Sequence, residues 1–349
     1  MIRINHAILH VSDFTSCVNV FSQTELDLED RLAKSYVTKL ARKASSNLDN
    51  MHGEFSPDSM FATELRSYFA GDRGFVDLSI QIAEYIAGEL GRMSKSESTD
   101  LLVVDIEEDP SDVAARDADA FDGRARRIFG LLLLESRQAY MHVVGSDDYG
   151  ASCNGVERHH AILPNPSQKI SSYALIDGHS MNVSFQDKKR EIAGEERWLI
   201  PDGLLQCSME ASSKEVVSEF TRVVEEVAEE YGANSTVALS KAKAYVKEAA
   251  ERDEDIDCAA LAEVAFEDEP LRERFVSAAV EEELPETVHV EKEAARRIVG
   301  NHKIRTDTGI EITFPSEYAH NSDFIEFSSA PNGLISIELK NIGRVENRR

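Results

Sequence analysis

The sequence predicts an α+β protein: a mixed or antiparallel sheet with helices in an N-terminal domain, an acidic helical middle module and a small C-terminal β element. Three observations carry that reading. Hydrophobic periodicity switches from two to three-and-four and back again along the chain. Strands come in consecutive runs instead of alternating with helices, which disfavours a doubly wound parallel sheet. A capped helical block separates two strand-rich stretches. The expected domains are 1–205, 206–285 and 286–349.

Residues 2–11 alternate and are rich in Ile, Leu and His, which predicts an opening strand. The period then changes. Apolar residues recur at three and four over 24–44 (Leu28, Leu32, Tyr36, Leu40), 58–68 and 73–90 (Phe75, Ile82, Ile86, Leu90), predicting three amphipathic helices. Pro57 stands at a helix start and Gly91 just past a helix end, as the capping asymmetry favours. Residues 92–122 are polar, with 101–106 as a candidate strand inside them. Strands are expected at 126–135, 138–144, 159–163, 172–177 and 181–186, joined as hairpins at Ser136-Arg137, Pro164-Asn165-Pro166 and Asp177-Gly178-His179. Ser212-Ser213-Lys214-Glu215 is a capping box and opens a helix ending at Gly232. Helices over 237–251, 257–266 and 270–283 follow, and the last 60 residues return to strands at 303–306, 309–314, 324–328 and 334–340.

The 349 residues carry 38 Lys+Arg against 64 Asp+Glu, a formal charge of −26. That charge opposes any protein that coats DNA non-specifically, because duplex DNA is bound largely through its phosphates. Its distribution matters more than its size. The excess is −5 over 1–100, −6 over 101–200, −14 over 201–285 and −1 over 286–349. No stretch approaches the ~20 apolar residues of a membrane span, and the N-terminus has no signal-peptide pattern, so a cytoplasmic protein without a membrane partner is expected. Cys17, Cys153, Cys207 and Cys258 lie far apart with no CxxC and are expected as reduced, mostly buried thiols.

No phosphate-binding GxxxxGK[ST], no GxGxxG and no GxSxG occurs, which removes nucleotide hydrolysis, dinucleotide-dependent oxidoreduction and α/β-hydrolase chemistry. The most tempting catalytic pattern is Asp323 followed by Glu338-Leu339-Lys340, since two carboxylates and a lysine hold Mg²⁺ and the attacking water in many nucleases. The competing reading is the solvated face of a strand whose other side is Ile335, Ile337 and Leu339. His6 and His10 fall on one strand face and His159-His160 are adjacent; a zinc site needs about three converging ligands, and pairing these with His142 or Cys153 competes with sheet histidines satisfied by hydrogen bonds.

Four basic clusters are candidate phosphate contacts: Arg124, Arg126 and Arg127; Lys188, Lys189 and Arg190; Arg296, Arg297, Lys303 and Arg305; and the Arg344, Arg348, Arg349 tail. Each also suits neutralisation of acidic neighbours. Glu225, Glu226, Glu229 and Glu230 are either a solvated helix face or an acidic docking surface for a basic partner.

The opening Ile4-Asn5-His6-Ala7-Ile8-Leu9-His10 strand, the Phe55-Ser56-Pro57-Asp58-Ser59 segment and Gly74-Phe75-Val76-Asp77-Leu78-Ser79 resemble the bacterial 37-kDa nucleoid-associated protein family. The similarity continues through Ala161-Ile162-Leu163-Pro164 and Ser172-Tyr173-Ala174-Leu175-Ile176-Asp177 and covers most of the chain, while 94–122 and 145–158 look particular to this sequence. The resemblance implies a cytoplasmic, nucleoid-associated protein, with DNA binding as the usual description and no established enzymatic activity, and it supplies no binding residues. The expectation is therefore a non-enzymatic protein without cofactor, contacting DNA weakly through basic patches, docking protein partners and open to homodimerisation. The alternatives are an acidic adaptor of a DNA-processing enzyme with little DNA contact, and a metal-dependent nuclease.

Overall fold

A computed structural model describes residues 2–108, 125–146, 151–252, 254–282, 284–288, 290, 292–316, 318, 323–329 and 335–344. The chain forms two compact units, Met1–Glu210 and Ala211–Arg349.

In the first unit a seven-stranded antiparallel sheet runs in the order β2-β1-β4-β5-β8-β9-β3, made from β1 (Ile2–Asp13), β2 (Val18–Val20), β3 (Met51–Gly53), β4 (Thr99–Glu108), β5 (Arg126–Glu135), β8 (Ser172–Asp177) and β9 (Val183–Gln186). Helix α1 (Arg31–Ser45) covers one face through Val37, Leu40, Ala41 and Ala44. Helices α2 (Met60–Ala70) and α3 (Phe75–Leu90) cover the other, together with a π-helical turn at Leu199–Leu205.

Burial on both faces explains why β4 and β5 read as continuous apolar runs without alternation: Leu101 to Ile106 and Ile128 to Leu134 are buried throughout. The candidate strand inside the polar stretch is thus a central strand of the sheet. Within the sheet Gly130 of β5 stands directly opposite Val104 of β4, and a Cβ at Gly130 would lie 2.7 Å from Val104 Cγ2.

Several expectations need correction. The first helix starts at Arg31, not near residue 24, because Asp30 caps it by accepting from the Leu32 and Ala33 amides; Leu32, counted as a core position, is 79% exposed. No hairpin forms across Ser136-Arg137. β5 pairs with β8, while β6 (Arg137–Ser146) leaves the sheet and pairs with β7 (Ser152–Ile162) as a separate ribbon. Beyond the expected strands, β10 (Lys189–Ile192) and β11 (Glu195–Trp198) form a further hairpin; Ala193 and Gly194, both at positive φ, make its turn.

The Phe55–Ser59 segment latches the π-helical turn to the sheet: the Ser59 hydroxyl donates to Leu205 O at 2.7 Å, the Ser56 amide to Gln206 O at 2.8 Å. Gly53 permits this approach, since a Cβ would meet Ser208 O at 2.1 Å.

The second unit opens with α4 (Ser213–Glu230), whose Ser212–Glu215 capping box forms as predicted. It continues through α5 (Ser235–Glu251), β12 (Ile256–Asp257), α6 (Cys258–Ala265), α7 (Glu269–Glu281) and β13 (Thr287–Val288). Asn234 and Asp257 cap α5 and α6 through side-chain oxygens. The C-terminal β region consists of two hairpins, β14 (Asn301–Arg305) with β15 (Glu311–Pro315) and β16 (Ile325–Ser329) with β17 (Ile335–Leu339). The expected strand-only ending needs one correction: α8 (Lys292–Val299) precedes the hairpins and packs against α5 and α4 with Ala294, Ala295 and Val299 buried.

Candidate nucleic-acid interface

Arg124 lies outside the described residues. Its neighbours Arg126 and Arg127 begin β5, where antiparallel pairing sets them opposite Glu108 and Glu107. Arg127 bonds to Asp105 Oδ2 through Nε at 2.8 Å and Nη2 at 2.6 Å, and its guanidinium carbon sits 5.0 and 5.3 Å from the Tyr68 and Phe69 ring centres. Asp105 is fully buried and also accepts from the Tyr68 hydroxyl and from Asn5 Nδ2. The Asp105 hydrogen bonds hold Arg127 even more firmly protonated, and burial followed by the bond to Asp105 pushes the Tyr68 phenol up.

Arg126 donates to the Asp177 carboxylate. Burial alone would raise Asp177, but Arg126 and the His179 and Ser180 amides hold it below the usual range. Asp177 therefore both fixes Arg126 and builds the turn after β8.

The second cluster is at the other end of β5. Lys188 pairs with Glu135 at 2.6 Å. Lys189 is exposed, with its ammonium 5.9 Å from the Trp198 ring centre. Arg190 is 6% exposed and its nitrogens are taken by Asp187, the Lys188 carbonyl and Ser172. Nine residues at about 3.3 Å rise separate the ends of β5 by about 30 Å, so these two clusters do not merge into one patch.

In the second unit, Arg296 and Arg297 lie on the exposed side of the last turn of α8, and Lys303 and Arg305 occupy alternate, exposed positions of β14. Alternate positions share a strand face. Arg296 approaches Glu251 at 3.7 Å and Lys303 pairs with Glu311 at 3.0 Å. The acidic candidates Glu225, Glu226, Glu229 and Glu230 are all exposed on α4; Arg222 holds Glu226 at 2.8 Å and Arg274 holds Glu230 at 3.2 Å.

A sequence model of the family described as nucleoid-associated protein YejK matches residues 8–345. The chain belongs to this family. It has no match among individually curated proteins. Family membership makes it a nucleoid-associated protein, and among its described residues no helix is long and apolar enough to cross a membrane.

Within this nucleoid-associated fold the other sequence candidates take ordinary structural places. Glu326 and Glu338 stand directly opposite on β16 and β17, and Lys340 neutralises the pair by bonding Glu326 and lying 3.9 Å from Glu338. The Glu326 bond, first of all, raises the Lys340 ammonium. Asp323 accepts from Asn341 Nδ2 through its main-chain oxygen at 2.9 Å. Among the described residues no three His, Cys, Asp or Glu side chains are grouped to hold a metal ion. The two early histidines share one strand face, as expected, and that face meets α3: His6 stacks near Phe75 and lies 3.0 Å from Glu25, while His10 lies 3.0 Å from Ser79. His159 lies on β7. Of the thiols, expected to be mostly buried, Cys17 and Cys153 are exposed because they sit on a left-handed turn and on the β6–β7 ribbon.

Sequence reasoning missed the Tyr68–Asp105–Arg127 network in this family member. Its one visible signal was Asp105 in the middle of an apolar run from Leu101 to Ile106, because a charge at a buried strand position requires a partner.

Proposed function

We propose that this is a non-enzymatic, cofactor-free, bacterial cytoplasmic protein of the nucleoid that binds DNA weakly and also docks protein partners, with its phosphate contacts centred on Arg296, Arg297, Lys303 and Arg305. Family membership supports the nucleoid role. The observation that carries the location is exposure: Arg296, Arg297, Lys303 and Arg305 are all exposed on α8 and β14, with Arg296 3.7 Å from Glu251 and Lys303 3.0 Å from Glu311. In the first unit, Arg126, Arg127, Lys188 and Arg190 are instead held by carboxylates, and Lys189 supplements the contact at most. Arginine forks and a lysine on adjacent helix and strand suit phosphate oxygens without reading base edges.

The test is the salt dependence of DNA affinity for Lys303→Gln/Arg305→Gln. Each phosphate contact contributes about 0.9 to the log–log slope, so removing two should flatten it by about 2. An unchanged slope discards this patch, and affinity absent even at low salt discards direct DNA binding.

The partner surface is assigned to the helical module at 206–285, through Glu225, Glu226, Glu229 and Glu230. Their common exposure on one helix supports electrostatic docking of a basic partner such as a DNA-processing protein. Glu225→Lys/Glu229→Lys spares the two arginine-held glutamates, and should abolish partner recovery while leaving DNA affinity unchanged. Retained partner binding with lost DNA affinity would reverse the assignment.

A further inference from the structure

Among the described residues the β6–β7 ribbon pairs only with itself. All but one of the β6 residues are exposed, and Tyr140 and Val144 are 69% and 71% accessible. A two-stranded ribbon alone is marginal in water, whereas three or more strands with an apolar face are not. Edge strands are normally protected against pairing by charges, proline or a covering element. β6 lacks the first two after Arg137: from Gln138 to Ser146 there is no Asp, Glu, Lys, Arg or Pro, in a chain where 29% of residues are charged, and no described element buries it.

We propose that β6 pairs antiparallel with β6 of a second copy of this chain, joining the two ribbons into a continuous four-stranded sheet β7-β6-β6-β7. Two features of β6 select a second copy as the occupant. The first is charge. Two molecules of −26 repel each other, and self-association is least opposed where the contacting strand carries no charge. β7 carries Glu157 and Arg158, whereas β6 beyond its first residue has no Asp, Glu, Lys or Arg.

The second feature is self-complementarity. An antiparallel pair centred on His142 sets Met141 opposite Val143 of the second copy, and Tyr140 opposite its Val144. Because the axis is two-fold, each contact occurs twice, one set on either face of the sheet. Aromatic with β-branched and apolar with apolar are the favourable cross-strand combinations. The contact is isologous and therefore closes at two copies instead of propagating. The strand edge has too few cations for a DNA groove to be its first occupant, since groove entry also depends on phosphate neutralisation.

The test uses the full chain. Sedimentation velocity over a concentration series, without DNA, should show a monomer–dimer equilibrium. Tyr140→Lys/Val144→Lys should raise the dissociation constant by about a hundredfold, because like charges are then juxtaposed across the axis. Both positions are exposed, so the unfolding midpoint of the monomer should not move. Register is read by disulfide trapping in a Cys17→Ser/Cys153→Ser background. His142→Cys should link to itself on mild oxidation, since directly opposed strand residues lie within disulfide reach, whereas Gln138→Cys should not. A chain that remains monomeric throughout, a dimer indifferent to the two lysines, or linking that is equal at 138 and 142 would each overturn the proposal. Dimerisation only upon DNA addition would also overturn it and would assign the ribbon to the nucleic acid.

Discussion

Arg127→Met is expected to destabilise the first unit by about 3–5 kcal/mol, the cost of leaving a buried charge without its partner. Asp105 is fully buried and two of its hydrogen bonds come from Arg127. Methionine preserves most of the packing beside Tyr68 and Phe69 but supplies neither the positive charge nor the donors. Tyr68 and Asn5 would remain as donors to Asp105, which is too few to stabilise an ion at that depth. Trp198 is the one tryptophan of the chain and belongs to the first unit, so its fluorescence in urea reports this transition. Arg127→Met/Asp105→Leu should recover much of the loss, because replacing both partners by apolar groups removes the stranded charge. An unchanged midpoint together with lost DNA affinity would restore Arg127 as a phosphate contact.

The second large effect concerns pH. The Ser22 amide donates to His10 Nδ1 at 3.1 Å, so the ring proton is on Nε2 and points to the Ser79 hydroxyl, which itself donates to Val76 O. The imidazole is neutral and buried, and burial lowers its pKa to about 4. Asp100 moves the opposite way, to about 6, through burial and then the nearby charge of Asp13, against the Ser12 amide bond.

Their contributions to stability have opposite signs. As pH falls below 6.5 the unfolded chain protonates His10 before the folded one does, and stability is lost until about pH 4. Over pH 6 to 3.8 the folded chain protonates Asp100 first, and stability is gained. Each full shift is worth about 3 kcal/mol at most, so the wild-type urea midpoint should be nearly level between pH 4.5 and 6 on the account of these two groups. Asp100→Asn should then lose stability toward acid, by about 2–3 kcal/mol, and His10→Gln should gain it by a similar amount. Parallel pH profiles for the wild type and both variants would refute the coupling. Asp13 titrates outside this window, since the Ser16 and Ser98 hydroxyls hold it at about 2.

Much of the fold is legible locally. The ends of β5 and β8 coincide with the predicted 126–135 and 172–177, and the Ser212–Glu215 box starts its helix where hydrogen-bond arithmetic places it. These elements announce themselves through neighbours in sequence. What failed involved distant partners. The strand expected at 101–106 does form, within β4, but its central place in the sheet does not show in a segment that follows a polar stretch and lacks alternation because helices cover both faces. The Ser136-Arg137 turn looked like a hairpin because two strands flank it, but β5 finds β8 after the ribbon has been passed over. Helix α8 is short and follows a charged segment, and its burial against α5 and α4 supplies the order that its own propensity does not.

The candidate site divides in the same way. Residue type alone determined that cations occur in clusters, that the chain is strongly acidic, and that its order of elements matches a nucleoid-associated family, because composition, spacing and local period are properties of the chain itself. Only the tertiary structure decided which cations are spoken for. Arg127 and Arg190 read as phosphate forks in sequence and become internal ion pairs once Asp105 and Asp187 are brought beside them, whereas Lys303, although it pairs with Glu311 across the hairpin, and Arg305 keep an exposed face on β14. A charge meets its partner in space, and the field at each guanidinium is set by residues from any part of the chain.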